Sequence, residues 1–452
     1  MTPVQQNSAP DPDEGRRVIE LDRAHVFHSW SAQASFSPMA VAGAEGSYLW
    51  DYDGNRYLDF SSQLVNVNIG HQHPKVVEAI REQAARLSTI APQHANDVRS
   101  EAARLIAEVS PDGLDKVFFT NGGADAIENA VRMARLHTGR HKVLTAYRSY
   151  HGNTTTAVQM TGDPRRWPND GAATGIVHFF GPYPYRTPFW STSTEQECQR
   201  ALEHLEQVVA FEGPATIAAI VLESIPGTAG VLVPPDGYLA GVRALCDKHG
   251  IVMIADEVMA GFGRTGEWFA INHWKVVPDI MTMAKGITSS YIPLGAVGMR
   301  RKIGDFFQDK MFPGGLTYSS HALACAAALA TLAVYEEDDL INRAKRTGKV
   351  MAELMSDLAK RHPSVGAARS IGLFGVIELI RNRKTKQPMA PFNGTSPEMA
   401  ALGKFFRQEG LFTFVRWNYF FTNPPLIITE EQLREAFGII DRGLDITDKA
   451  VE

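Results

Sequence analysis

The sequence contains few cysteines and no long hydrophobic run. Its 452 residues include three cysteines, Cys198, Cys246 and Cys325, which are far apart and form no CxxC pair. A sparse, odd set of this kind is atypical of disulfide scaffolds and zinc ribbons and favours a reducing compartment. The most apolar stretch, residues 322–335, is shorter than the ~18 residues that a membrane span requires, so we expect a buried helix there.

An excess of positive charge is also missing. The chain has 45 Lys and Arg against 50 Asp and Glu, a formal net charge of -5, and no dense basic run. Because nucleic-acid binding needs a basic surface, we expect no nucleic-acid partner. The first seventeen residues are polar and acidic, unlike a secretory signal. These features predict a cytoplasmic protein without membrane contact.

The order of the sequence patterns predicts an α/β fold. Between residues 75 and 300, apolar runs of β-forming residues alternate with helical segments, which indicates a mostly parallel sheet covered on both faces. Residues 48–60 have the alternation of a hairpin. Later segments at 372–380, 412–421 and 430–448 predict two strands and a final helix, which belong to a smaller α+β unit.

These patterns divide the chain into four predicted parts. They are a disordered lead (1–20), the N-terminal part of a small domain (21–74), a large domain (75–330) and the C-terminal part of the small domain (331–452). Two domains are typical of a chain of this length. Ligands of open α/β sheets bind beyond the carboxyl ends of the strands, so we expect the chemistry there.

The first candidate site is the TNGGAD turn at 120–125, between a predicted strand and a predicted helix. Two glycines permit close backbone approach, and a helix N-terminus offers free N–H donors, so the turn suits a phosphate. The alternative is a tight turn with a capped helix. No GxxxxGK[ST] motif is present, which leaves a nucleotide P-loop unsupported.

Two ionisable residues follow apolar strands further along. Asp256 ends the run IVMIA, where a buried carboxylate needs a partner; a structural acid is the alternative. Lys285 follows MTMA, where desolvation would make its amine a nucleophile, although most such lysines point into solvent. Together, a phosphate cradle, an anion and an amine match the phosphate, ring nitrogen and aldehyde of pyridoxal 5'-phosphate (PLP).

In order and spacing, these segments resemble the class III, ω-type aminotransferases of PLP fold type I. The resemblance covers nearly the whole chain from about residue 25. It is carried by TNGGADAIENAVRMAR, SYHG, ESIPGTAGVLVPPDGYL, DEVMAGFGRTG and PDIMTMAKGI. It implies a large domain with a mostly parallel seven-stranded sheet between helices, and a smaller α+β domain.

The resemblance also implies a role for each matching residue. Lys285 would bind the cofactor as a Schiff base, and Asp256 would pair with its ring nitrogen. The backbone of Gly122, Gly123 and Ala124 would hold the phosphate. An aspartate follows this turn where the family usually has glutamate, and the turn lacks the hydroxyl donor that some members have.

Further residues are expected around the cofactor ring. Tyr150 would stack on one face and Val258 would pack on the other. Glu223 matches the acid of the family's E-P-x-x-G segment, in which this chain has Ser224 instead of proline. Thr317 resembles a threonine that reaches the phosphate from the neighbouring subunit. This implies a homodimer with shared active sites and leaves a tetramer open.

Two positions are expected to contact substrate. Val65 stands where many amine-specific members have tryptophan, which implies a wider pocket wall. Arg416 is placed to hold the carboxylate of a 2-oxo acid, with Arg186 as an alternative partner for it. The alternative for Arg416 is an arginine that extends to solvent between aromatic side chains.

The implied reaction transfers an amino group from an amine or ω-amino acid to a 2-oxo acid, with pyruvate favoured over 2-oxoglutarate. A mutase, racemase or decarboxylase of the same fold would share the lysine and the aspartate. An NAD-dependent dehydrogenase is suggested only by GFGRTG at 261–266, which matches G-x-G-x-x-G. The acidic residue expected about twenty positions later is missing, which disfavours a dinucleotide site, and the family resemblance implies that this segment is a structural loop.

Two histidine motifs carry weaker signals. His71 and His73, two positions apart on a turn, have poor chelating geometry, and we predict no metal site. His151 is expected to pack or form a hydrogen bond rather than act as a catalytic base.

Overall fold

The structure is a computed structural model that describes residues 11–171 and 173–452. The helices of this part are α1 Pro12–His25, α2 Ser62–Val65, α3 Pro74–Arg86, α4 Asp97–Val109, α5 Gly123–Thr138, α6 Thr155–Met160, α7 Thr194–Glu212, α8 Tyr238–His249, α9 Arg301–Asp305, α10 Ala322–Glu337, α11 Leu340–Arg361, α12 Pro397–Gln408 and α13 Glu430–Asp448. None of them is long and apolar enough to cross a bilayer.

The strands of the described residues form three sheets. They are β1 Val41–Glu45, β2 Tyr48–Asp51, β3 Arg56–Asp59, β4 Lys116–Thr120, β5 Lys142–Ala146, β6 Ile176–Phe179, β7 Ile217–Glu223, β8 Val252–Asp256, β9 Ile280–Met283, β10 Gly295–Met299, β11 Val365–Ile371, β12 Phe374–Asn382, β13 Gln387–Pro388, β14 Leu411–Phe412, β15 Val415–Arg416 and β16 Tyr419–Thr422.

The largest sheet has seven strands in the order β4-β10-β9-β8-β7-β5-β6. Only β10 runs antiparallel to its neighbours; the other pairs are parallel, which confirms the expected fold class. Alternate residues of β8 pack on opposite faces: Val252 and Ile254 lie against α5, while Met253 and Ala255 join the core on the other side. Burial on both faces explains the continuous apolar runs.

The helix ends beside this sheet follow from the sequence. Helix α5 ends at Gly139, whose φ of 69° is left-handed, and α8 ends in the same way at Gly250, with a φ of 62°. Glycine adopts this conformation without a steric penalty, so both helices stop where the sequence indicated.

Two smaller sheets combine early and late parts of the chain. One has the order β1-β2-β3-β14, in which Leu411 of β14 pairs in parallel with Leu58 of β3. The other has the order β11-β12-β16-β15, with β13 beside β12. The expected hairpin at 48–60 is present as β2 and β3.

The structure corrects two sequence-based expectations. Residues 412–421 are not one strand: β14, β15 and β16 are separate, and Arg416 pairs with Tyr419 across a tight turn at Trp417, whose φ is 51°. Part of the lead expected to be disordered is helix α1, because Asp11 caps it and Pro12 begins it. Residues 1–10 of that lead lie outside the described residues. Helix α10 spans the expected domain boundary at 330/331, and the division into domains stays a prediction.

Candidate active site

Three neighbouring strands of the large sheet end beside one cavity of about 340 Å³. Glu223 ends β7 and is in register with Asp256, which ends β8. Lys285 lies two residues beyond β9, whose Thr282 pairs with Asp256. The carboxyl ends of parallel strands share one sheet edge, so the fold brings these distant residues together. The wall also contains Asn121, Gly122, Gly123, Ala124, Tyr150, His151, Gly152, Thr228, Val258, Met259, Thr288 and Ser290.

The first turn of α5 forms another part of the wall. No side chain caps this helix at Gly122, so its first N–H groups are free to bind a ligand. At Gly123, an added Cβ would lie 2.9 Å from Cγ1 of Val258, so glycine lets the helix approach the strand end of β8 closely. Free N–H groups and the helix dipole make this turn a site for an anion.

Asp256 is fixed by hydrogen bonds to both carboxylate oxygens. Nδ1 of His151 lies 2.7 Å from Oδ2. Oδ1 accepts from the Val258 N–H at 3.0 Å and from the Thr282 hydroxyl at 3.3 Å. The expectation that His151 forms a hydrogen bond is confirmed. Burial lowers the pKa of His151, but the hydrogen bond and charge of Asp256 outweigh it and raise that pKa overall.

Lys285 presents an amine to the same cavity. Among residues 11–171 and 173–452, no carboxylate lies within salt-bridge distance of its Nζ. Burial lowers the pKa of Lys285, although the charges of Glu223 and Asp256 oppose the shift. Its backbone is left-handed, with a φ of 47°, a strained conformation that is concentrated at functional sites. A lysine with a lowered pKa is the nucleophile that Schiff-base chemistry needs.

Glu223 connects the strand end to two loops. Its Oε1 accepts from the Tyr150 N–H at 2.9 Å, and its Oε2 accepts from the Gly227 N–H at 2.8 Å. Burial raises the pKa of Glu223 to about 7. The hydroxyl of Ser224, which replaces the family's proline, donates to Oε1 of buried Glu257 at 2.5 Å. This serine therefore links the ends of β7 and β8.

The residues of this cavity fit PLP. The α5 N-terminus suits the phosphate, Asp256 offers an anion, and Lys285 offers an amine. Tyr150 and Val258 also line the cavity, as their expected packing on the two faces of the cofactor ring requires. The guanidinium of Arg165 lies 3.6 Å from the centroid of the Tyr150 ring. A cavity of about 340 Å³ is within the range of ordinary ligand sites.

Three predicted site residues do not line this cavity. Val65 is buried in an apolar cluster with Phe374 and Phe421. Arg416 lies 3.1 Å from Asp163, with its Nη2 directed at a carboxylate oxygen. Thr317 is exposed on the single chain. Their expected roles stay predictions.

The GFGRTG segment is a buried structural loop. Arg264 is fully buried, and its Nη1 donates to the carbonyl oxygens of Leu373 and Pro424 at 3.2 and 2.5 Å. Its Nη2 donates to Oδ1 of Asn68 at 2.8 Å and to the Ser62 hydroxyl at 3.2 Å. These contacts tie the loop to segments beside both smaller sheets, which confirms the structural interpretation.

Sequence analysis missed two residues near this site. Thr282 is a polar residue in an apolar strand, and that break in the pattern was a signal for its contact with Asp256. Arg148 lies two residues beyond β5 and lines a neighbouring cavity. Nothing in its sequence context distinguished it from a surface arginine.

The fold and the cavity define a PLP-dependent enzyme of fold type I. The family described as aminotransferase class-III matches residues 30–444. The chain is 35% identical over 422 residues to the putrescine–pyruvate aminotransferase of Pseudomonas aeruginosa, covering 91% of each. It is 36% identical to an omega-aminotransferase of Caulobacter vibrioides, over 91% of this chain and 94% of that protein.

A solved aminotransferase structure also matches the chain. The taurine:2-oxoglutarate aminotransferase of Bifidobacterium kashiwanohense, in complex with PLP and glutamate, is 42% identical. It superimposes with a TM-score of 0.94 over 96% of this chain and 98% of that one. The chain belongs to the class III aminotransferase family, and it is a PLP-dependent aminotransferase that takes an amino donor and a 2-oxo acid acceptor. The recognition made from sequence is confirmed.

Proposed function

We propose that this aminotransferase uses Lys285 and Asp256 as its central pair and moves an amino group from an amine or ω-amino acid to pyruvate. The observation that supports this most is that both residues line one cavity, although they lie on separate strands. Gly122, Gly123 and Ala124 bind the phosphate through N–H groups of α5. Tyr150 and Val258 enclose the ring, and Glu223 positions the loop that holds Tyr150.

The chain's own groups perform the proton transfers. Bound PLP supplies an electron sink for the carbon that bears the amine. Neutral Lys285 accepts the proton from this carbon at its Nζ, because burial lowers the pKa of that amine. Asp256 would pair with the ring nitrogen. The hydrogen bond from His151 holds its carboxylate in place.

The acceptor differs among the relatives. The Pseudomonas aeruginosa relative is named for pyruvate, whereas the Bifidobacterium kashiwanohense one is named for 2-oxoglutarate. We favour pyruvate and expect alanine as the product. Arg416 is the proposed contact for the acceptor carboxylate, which requires it to leave Asp163 when the acceptor binds. We propose that Val65 forms part of the wall of the substrate pocket. It reaches the pocket only if the apolar cluster around it rearranges.

The acceptor test uses purified enzyme loaded with PLP and a panel of amines and ω-amino acids. Each donor is incubated with pyruvate or 2-oxoglutarate, and alanine or glutamate is quantified. We expect alanine to form faster than glutamate, and Lys285→Ala to form neither. Glutamate alone would overturn the acceptor assignment. Racemisation or decarboxylation without amino transfer would favour the other PLP reactions.

We also propose a homodimer, in which Thr317 of one subunit completes the cofactor site of the other. Its exposure on the single chain supports this. Lys285→Ala inactivates the site of its own subunit and Thr317→Ala that of its partner. In a mixed dimer of the two variants both changes therefore fall on one site, and co-expression should restore activity at the other. No recovery in a mixed dimer verified by mass spectrometry would contradict shared sites. The unpaired cysteines support a cytoplasmic location.

A further inference from the structure

A second cavity of about 430 Å³ adjoins the cofactor cavity, and Thr228 lies in the wall of both. Its wall is largely aromatic, with the side chains of Tyr147, Trp167, Phe180, Tyr183, Phe392, Trp417 and Tyr419. Arg148 lies in this wall. Arg148 and Glu223 also line a narrow space of about 40 Å³. We call the second cavity the aromatic chamber; it borders the cavity that Lys285 lines.

Most charged groups of this aromatic chamber are already paired within the protein. Arg186 lies 2.5 Å from Glu378, which also accepts a hydrogen bond from the Tyr183 hydroxyl. The pairs are Arg186–Glu378, Arg166–Asp170, Arg165–Asp163 and Arg416–Asp163. Each of these arginines has a carboxylate partner, and two of the carboxylates serve two arginines each: Asp163 pairs with Arg165 and Arg416, and Glu378 pairs with Arg186 and Arg369.

Arg148 is different. Among residues 11–171 and 173–452, no carboxylate lies within 4.0 Å of its guanidinium nitrogens, and the face of the Tyr183 ring lies 4.7 Å from its Cζ. Its φ is 61°, a left-handed conformation that is rare for arginine and is concentrated at functional sites. Burial lowers the pKa of Arg148, and the charges of Tyr183, Glu378 and Glu197 only partly oppose this shift. The guanidinium, which is partly exposed, is therefore available to an anionic ligand.

We propose that Arg148 binds the acid group of the amino donor, a carboxylate or a sulfonate at the end remote from the amine. The proposal rests on the aminotransferase function proposed above and narrows its donors to ω-amino acids and aminosulfonates. The planar guanidinium donates two parallel hydrogen bonds to such a group. The same cation repels the second ammonium of a diamine.

The test compares donors that differ at one end. Taurine and β-alanine carry an acid group, n-propylamine carries none, and putrescine carries a second amine. For Arg148→Gln we expect kcat/KM for both acids to fall about 10- to 100-fold, the loss typical of a charged hydrogen-bonded pair. The value for n-propylamine should change by less than about threefold, and the value for putrescine should rise. Arg148→Lys should keep part of the preference. A loss for taurine alone or for β-alanine alone identifies the acid group that the site accepts.

Arg166→Lys is the matched control, because Arg166 lines the same aromatic chamber but pairs with Asp170. It should leave the donor preference unchanged. Arg416→Gln tests the competing assignment. An acid-specific loss in that variant but not in Arg148→Gln would overturn the proposal, as would an equal loss for all four donors.

A binding measurement keeps this proposal separate from the proposed reaction. Propionate and ethanesulfonate carry the acid group without the amine, and Trp167 and Trp417 line the aromatic chamber as fluorescent reporters. Both acids should change the fluorescence of the PLP-loaded wild type, with about tenfold weaker affinity for Arg148→Gln. Equal affinity in the two proteins would refute the role of Arg148. Absence of turnover with every donor would refute the proposed reaction, whereas the fluorescence titration would still decide whether Arg148 binds the acid group.

Discussion

Replacing Arg264 tests whether the GFGRTG loop is structural. The side chain is fully buried and donates four hydrogen bonds, two of them to backbone carbonyls. Arg264→Met fills a similar volume but leaves those acceptors unpaired. A hydrogen bond to a charged group contributes about 1.5–3 kcal/mol, and removing a buried cation recovers part of its desolvation cost. We therefore expect a net loss of about 3 kcal/mol in the free energy of unfolding.

The assay is urea unfolding of the PLP-free enzyme, followed by tryptophan fluorescence. A loss of this size should lower the midpoint by about 1 M urea. Arg104→Met is the matched control, because Arg104 is half exposed and pairs with Glu101 and Glu108 on the surface. Its midpoint should barely move, since exposed pairs contribute about 0–1 kcal/mol. Equal midpoints for the two variants would refute the structural role, and loss of NADH binding on Arg264→Met would favour a dinucleotide site.

Two further predictions concern the strand ends. His151→Phe removes the hydrogen bond to Asp256 at 2.7 Å. We expect about tenfold weaker PLP binding, measured by equilibrium dialysis. Unchanged affinity would contradict the role of His151 in positioning Asp256. Burial raises the pKa of Glu257 to about 7 from an unfolded value near 4.5. Between these values the folded state binds a proton that the unfolded state has released, so the free energy of unfolding falls as pH rises from about 5 to 8. Glu257→Gln should reduce this slope in thermal unfolding of the PLP-free enzyme and leave the part that Glu223 contributes through its own raised pKa. An unchanged slope would exclude Glu257 as a source.

The large sheet could be predicted from sequence because its signals are local. Apolar runs define strands that are buried on both faces, and left-handed glycines such as Gly139 end the helices. Asp256 and Lys285 could be found because each follows such a strand, and a parallel sheet places those ends together. The family resemblance then added the order and spacing of these segments as a further signal for the site.

Other features depend on contacts between distant segments and have no local signal. The run from 412 to 421 alternates like one strand, yet a left-handed turn at Trp417 divides it. Whether an arginine is free or paired depends on its neighbours in space. Arg416 is held by Asp163, 253 residues earlier, whereas Arg148 faces the aromatic chamber and, within residues 11–171 and 173–452, has no carboxylate partner. The sequence therefore favoured Arg416 as the arginine that binds substrate. The structure shows that Arg148 is available for this role.

The most direct test of the central claim is to locate the lysine that binds the cofactor. Borohydride reduction of the PLP-loaded enzyme fixes the cofactor to its lysine, and proteolysis with mass spectrometry identifies the modified peptide. We predict a single pyridoxyl adduct on Lys285, lost in Lys285→Ala. An adduct on another lysine, or none on a wild-type protein that transfers amino groups, would contradict the account.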